Sequence, residues 1–564
     1  MRTTLRSLAL KDSELHLCRS ADSRMVLAGF GQALRHAHFH YQGAQNSGPS
    51  AGQRSGKHCD RAASTDRQPL TAPAPDEEHA RADAVYAVTK QASCIHAFIS
   101  HVWAASRWQK YLALCFYLNG PYAVLAALVT WLGACAYAVL VWADGDISGL
   151  GGMNLAPLLV YLPVGVFFVL VFFAHDCVPL VNQEWWFDKL CVHQTRPELK
   201  AQGIGKLPKF VALSKRMVVL WDEPYLSRLW CNAEIAAFTA SHGGALQIDF
   251  VPLWLVPWIF STILVDIFSA TVSCSLYWII PVIGDCVART ALPPGLQVLA
   301  IQTAGIGSAM AIAYLPAAIP NYISLRRKMC LQQLMLEQLS SYLIENAECS
   351  VESDRAVVED MVAGLFGEGR SRASALKAFN AFVREELKEA LVSRLGDGTV
   401  IPYRMCCLVF MPLIFSAAAD VLSCDLMECE RAYRAEGYAS LESYMIFNSF
   451  VWLGGVLGIV PTSLPLMASS ISWLMSSVQT PWLQQALCFL AVVLSYCYMT
   501  FTWGFFAGLV ENAVTLSIPW KLALAAFCSF YSWLNYRLFF RTRTAPVGQS
   551  EAKQVREVRR LMSL

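Results

Sequence analysis

Charge is scarce in this chain. Asp, Glu, Lys and Arg make up 15% of its 564 residues, and the formal net charge is only +2. So balanced a chain has no basic face for a polyanion, and nucleic acid is not an expected partner. The scarcity also argues against the soluble, multi-domain protein that this length would otherwise suggest. The short apolar core of a secretory signal is missing near the N-terminus. Arg2, Arg6, Lys11, Asp12 and Glu14 interrupt it, so the first transmembrane helix is expected to direct insertion. Residues 41–80 have few aliphatic side chains among their Gly, Ser, Gln and Pro, and such a composition buries no core. Residues 1–90 therefore read as a disordered tail, with a short amphipathic helix in 1–36 as the alternative. No internal repeat is visible. Cysteine is plentiful, at 19. Most of it falls in apolar runs or in segments assigned to the cytosol, where it behaves as a small hydrophobe rather than as a disulfide framework.

What the chain has in abundance is apolar sequence: 55% hydrophobic residues and a mean hydropathy of +0.40. Much of it lies in runs long enough to cross a bilayer, which takes about 20 helical residues. About eight spans are expected, at Pro121–Trp142, Leu155–Phe173, Trp254–Ile280, Leu296–Ile323, Tyr403–Leu422, Tyr444–Met475, Leu487–Leu509 and Ile518–Phe539. The first two form a hairpin around Asp144-Gly145-Asp146, so its flanks face one compartment. Arg326-Arg327-Lys328 and the basic tail 541–564 place that compartment, and both termini, in the cytosol by the positive-inside rule. The longest loop on the other side holds Cys424 and Cys429, a candidate disulfide pair. Prolines 281, 316, 320, 461 and 465 lie in or near spans and read as kinks or as discontinuous helices. Acids within or at the ends of spans are functional suspects, and Asp266, set among Leu264, Val265, Ile267 and Phe268, is the first of them, ahead of Asp420 and Glu511.

Three stretches remain for soluble structure: 94–118, 183–254 and 324–400. Residues 324–400 read as a small helical bundle with mixed-charge, solvated faces. In the other two, apolar runs at Cys94–Ser100, Glu184–Cys191, Arg216–Trp221 and Leu246–Leu253 read as strands. Helical patterns at Trp108–Leu118, Pro197–Leu213 and Leu226–Thr239 alternate with them. That alternation predicts a parallel α/β sheet, divided in sequence by the membrane hairpin 120–174.

The sharpest local signal is Tyr225-Leu226-Ser227-Arg228-Leu229-Trp230-Cys231-Asn232-Ala233-Glu234. Trp230 and Glu234 are one turn apart on a helix and share a face. Ligands of open parallel sheets bind beyond the carboxyl ends of the strands, where a carboxylate beside an indole suits ribose hydroxyls or a developing positive charge. The plain structural alternatives are core packing for Trp230 and Cys231, and a helix-dipole carboxylate for Glu234. Cys191, His193 and Cys231 form an incomplete set whose spacing fits no zinc site, so no metal is expected.

Tyr225, Ser227, Trp230, Cys231 and Glu234, together with the strand Ala97-Phe98-Ile99-Ser100 and the later Phe250-Val251-Pro252, resemble the TIR family. A wider pattern looks like a divergent TIR-like branch found in uncharacterised multi-pass proteins of unicellular algae. It comprises Phe187-Asp188-Lys189, Cys191, Gln194, Lys200, Ser214, Arg228-Leu229-Trp230-Cys231 and Glu234. The resemblance implies a flavodoxin-like fold, self-association, and in some members cleavage of the nicotinamide bond of NAD, here a candidate substrate rather than a cofactor. It implies Glu234 as catalytic carboxylate, Trp230 as pocket wall, and Ser100, Arg107 and Tyr225 as substrate-binding. His101-Val102-Trp103 stands where many members have an aromatic residue and an arginine; Arg107 is the candidate substitute. The expectation is a signalling or scaffold protein in the bilayer with a cytosolic TIR-like domain. Its rival is a transporter or channel that this domain regulates.

Overall fold

Strands that carry apolar residues on both faces belong in the middle of a covered sheet. The computed structural model describes residues 17–34, 75–143, 155, 157–276, 278–349, 351–367, 371–396, 401–422, 438, 440–515 and 518–540. In it six strands form one sheet: β1 Arg19–Asp22, β2 Lys90–Gln91, β3 Ile95–His101, β4 Glu184–Trp186, β5 Ser214–Trp221 and β6 Ile248–Pro252. Their order is β2-β1-β4-β3-β5-β6. β4, β3, β5 and β6 run parallel, while β1 pairs antiparallel with both β4 and β2. Within the parallel part the chain order is 2-1-3-4, as in doubly wound sheets. Ala97, Phe98 and Ile99 of β3 and Met217–Trp221 of β5 are buried, and Phe98 stacks flat on Trp186 at 4.4 Å.

The sheet is therefore mixed, and its antiparallel edge comes from the stretch read as a disordered tail. Residues 17–34 supply β1 and the kinked helical segment Ser23–Gly31, and 75–91 supply helix Pro75–Val88 and β2. Val26, Leu27 and Leu34 are fully buried. These apolar side chains are too sparse to make a core alone, but they complete one that the sheet already provides. The expected strand 184–191 is shorter, ending at Trp186 before a helical turn Asp188–Cys191. The expected helix 197–213 is divided into Pro197–Gly205 and Leu207–Leu213, because Pro208 has no N–H to continue the first ladder.

Helix α1, Arg107–Ala143, is a single 37-residue rod, about 55 Å long. It joins the expected soluble helix 108–118 to the first span without a break. Its partner α2, Leu162–Cys177, returns the chain to β4, so strands on either side of the hairpin pair directly. Asn119 clips the two helices together, its Nδ2 donating to the Val171 carbonyl at 2.8 Å and meeting His175 Nδ1 at 2.9 Å. After α3, Leu229–His242, and β6, the chain enters α4, Leu255–Cys274, with two residues between. A short helix, Ile279–Ala288, then leads to α5, Pro294–Tyr314, and α6, Ala318–Ser340. α7, Met411–Leu422, and α8, Pro481–Thr515, belong to the last third.

Among the described residues, six helices are long and apolar enough to cross a membrane. The chain is thus a helical, membrane-type protein carrying a small mixed sheet. Two of the eight expected spans are not among the six. The 403–422 stretch is divided at Phe410 into Tyr403–Val409 and α7, and Ile518–Asn535 is the other. Buried apolar side chains form one continuous cluster from Ile95 and Phe98 in the sheet to Met499 and Trp503 in α8.

Candidate functional site

Parallel strands bring their carboxyl ends to one edge, and there β3, β4 and the helix following β5 enclose a cavity of about 330 Å³. Three indoles, of Trp103, Trp186 and Trp230, and three acids, Asp188, Glu234 and Glu348, line it, with Lys200 and Arg228 among the remaining residues. Glu234 lies in the second turn of α3. No side chain caps that helix at Arg228. Instead the Leu229 N–H donates to the Glu348 carbonyl at 3.0 Å, and the Glu348 N–H donates to the Ser227 carbonyl at 2.5 Å. A residue more than a hundred positions away in sequence thus satisfies the start of the site helix and adds its side chain to the wall.

Glu234 is half-buried. Ser100 Oγ donates to its Oε2 at 2.5 Å and pairs with Tyr225 Oη at 2.6 Å. Burial pushes the Glu234 carboxyl up to about 8; the Ser100 bond draws it down, and the Asp188 charge adds to the rise. Burial likewise raises Asp188 to about 7, against the pull of the Lys189 backbone N–H, the Lys110 and Lys189 charges and the Trp103 side chain. The site therefore holds two carboxyls that ionise near neutrality, and desolvation is the main cause in both.

The expected residues are brought together only in part. Trp230 and Glu234 line the cavity. Ser100 and Tyr225, both buried, stand behind Glu234, Ser100 joining the carboxyl to the Tyr225 hydroxyl. Arg107 is not among the residues that line the cavity; its guanidinium lies 4.4 Å over the Trp108 ring. Lys110, three residues on and turned inward, is fully buried. It donates to the carbonyls of Val102 (3.1 Å) and Trp103 (3.3 Å), fixing the loop after β3.

Cys231 Sγ faces the His101 carbonyl and Cys191 Sγ the Trp185 carbonyl, both at 3.9 Å. Burial pushes the Cys191 thiol up to about 12. His193 Nε2 bonds Asp83 Oδ1 at 2.7 Å. Each of the three side chains thus has its own partner. Cys424 and Cys429 lie outside the described residues.

Asp266 is fully committed. Its Oδ1 accepts from Tyr314 Oη at 2.5 Å and its Oδ2 from the Leu413 N–H at 3.0 Å. Leu413 stands in the first turn of α7, so the acid caps a helix that begins inside the bundle.

Asp188, Gln194, Lys200 and Arg228 carried a sequence signal, being part of the quoted pattern, though no role followed from it. Gln194 holds its loop by donating to the carbonyls of Asp188 and Val192. Glu348 had no place in the sequence reading, and His101 entered it only within the departure His101-Val102-Trp103. Neither a protein-family model, nor a curated protein, nor a solved structure matches this chain.

Proposed function

We propose that the protein displays a TIR-like α/β unit on the cytosolic face of a membrane, where it acts in signalling or assembly and hydrolyses the nicotinamide bond of NAD. The single observation that carries this reading is Glu234, half-buried at the strand ends between Trp230 and the Ser100 hydroxyl in a cavity walled by three indoles. Burial keeps its proton on at neutral pH. A cationic pyridinium entering beside it favours the carboxylate. The bond from ribose C1′ to the ring nitrogen then breaks with both electrons leaving on nicotinamide. The carboxylate stabilises the positive charge left at C1′. Water adds there and loses a proton, giving ADP-ribose.

The basic groups Arg326, Arg327 and the residues of 541–564 support a cytosolic placement of this unit and of both termini. Clustering through the α/β unit is the form of partnership the resemblance supports. Membranes containing the protein are expected to consume NAD when the protein is clustered, and Glu234→Gln membranes are expected to lose at least a hundredfold of that rate. Equal consumption by both would remove the carboxylate from the chemistry.

A second reading, transport, has one observation in its favour. Helix breaks at Leu315–Ala317 and at Phe410 meet at Asp266, which binds Tyr314 on one side and Leu413 on the other. Discontinuous helices of this kind form substrate sites in transporters. Both Asp266 oxygens already have protein donors, which favours a capping role. Proton or cation flux into liposomes that is abolished by Asp266→Asn would restore the transport reading.

A further inference from the structure

His101 is the last residue of β3 and lines the cavity. The residue is 8% exposed. The ring stacks on Phe187 at 5.0 Å and meets Trp103 edge-on at 4.8 Å. Its Nε2 is buried and has no hydrogen-bond partner. A buried polar atom without a partner is costly, and one on a cavity wall points to a bound group that supplies the missing partner.

Two facts settle what that partner offers. Burial holds the imidazole well below its usual pKa, reinforced by the Lys110 and Lys189 charges, so the ring is neutral. The Ile99 backbone takes a hydrogen bond from the ring, and Nε2 is the nitrogen left without a partner. With Nε2 unpartnered, the proton is on Nδ1 and Nε2 presents a lone pair. The ligand must donate there. The same cavity wall carries the carboxyls of Asp188, Glu234 and Glu348 and flat indole faces. A ring with hydroxyls on its edge and C–H groups on its face fits that surface, with the Lys200 cation on the same wall.

We propose that His101 Nε2 is a specificity-determining acceptor for a ribose hydroxyl of the ligand in this cavity. This deepens the reading given above, resting on the same cavity but not on any turnover in it. The test is calorimetric titration of the full-length protein in detergent with ADP-ribose and with analogues that each lack one ribose hydroxyl. The wild type is expected to bind one analogue about tenfold more weakly than the parent. His101→Phe keeps the stack on Phe187 and removes the acceptor. It is expected to bind the parent and that analogue equally, at the weaker level, while His101→Gln restores part of the preference. A melting curve checks each fold, and His101→Leu replaces the phenylalanine variant if that one melts early. No binding of ADP-ribose by the wild type, or an undiminished preference in His101→Phe, would overturn the assignment. NAD consumption is followed in parallel: binding without consumption leaves His101 in place and removes the hydrolase.

Discussion

Glu234 shows how a single buried side chain sets pH behaviour. Its carboxyl is raised from 4.5 to about 8, chiefly by burial. Between those two values the unfolded chain has lost the proton and the folded protein has kept it. Stability therefore falls as pH rises through that window and levels off above it. Glu234→Gln has no charge to form in the half-buried site. Its melting temperature should match the wild type near pH 5 and exceed it by several degrees at pH 8, as read by thermal melting in detergent. An identical difference at both pH values would mean that Glu234 ionises normally. The same group predicts a kcat/KM for NAD that climbs as pH rises through about 8, where the free protein gains the carboxylate. Asp188, raised to about 7, titrates earlier and acts on Glu234 through its charge.

At the scale of elements, α5 and α8 approach each other closely. Gly504 and Gly508 are spaced four apart on α8, and a Cβ on Gly504 would lie 2.5 Å from the Gln302 carbonyl oxygen and 3.0 Å from Thr303 Cα. A Cβ on Gly508 would lie 3.0 Å from Leu299 Cα. Small residues at that spacing let two membrane helices touch backbone to backbone. One turn further on, Gln302 Nε2 donates to Glu511 Oε2 at 2.7 Å, so the contact also buries a polar pair. Gly504→Leu must push the helices apart and should destabilise by about 1–3 kcal/mol, seen as a lower aggregation temperature. Gly133→Leu is the control, because no atom lies within 4 Å of its Cβ position. Equal effects from the two changes would rule out a specific contact.

At the scale of the molecule, the α/β unit and the membrane helices are one mechanical body. α1 runs unbroken from the sheet into the apolar layer, and α4 follows β6 after two residues. α6 leads down to the segment that closes the site, with Gln338 Nε2 bonded to the Glu223 carbonyl at 2.8 Å and Glu348 bonded to Ser227 and Leu229. Asp249 adds a second tie. It takes Arg394 at 2.7 Å, Arg216 at 2.5 Å and Tyr117 Oη at 2.9 Å, joining β6 to the helical segment, to β5 and to α1. Glu348→Pro removes the N–H that Ser227 accepts. Hydrogen exchange across 226–236 should then quicken by about tenfold or more, and Glu348→Gln, which keeps the backbone bond, should leave it unchanged. If exchange there is the same in both variants, the strap does not hold the site helix.

The residues alone determined a good deal. Runs of apolar residues with almost no charge point to membrane-type helices, and continuous apolar strands between helical patterns point to the covered, parallel part of a sheet. The Trp230 to Glu234 spacing put both on one helix face whatever the rest of the chain did. These are local properties, set by periodicity and solvation, and they survive any change in distant contacts. The tertiary structure decided the rest, because pairing across long separations leaves no local signature. β1 and β2 are too short and too polar to be read as strands until β4 offers an edge. Lys110 rather than Arg107 reaches the loop after β3, because only packing tells which side of α1 faces inward. Glu348 enters the site by two backbone hydrogen bonds, which no side-chain pattern encodes. Asp266 stood out as an acid in an apolar run, but its role as the cap of α7 depended on where a helix from another part of the chain begins.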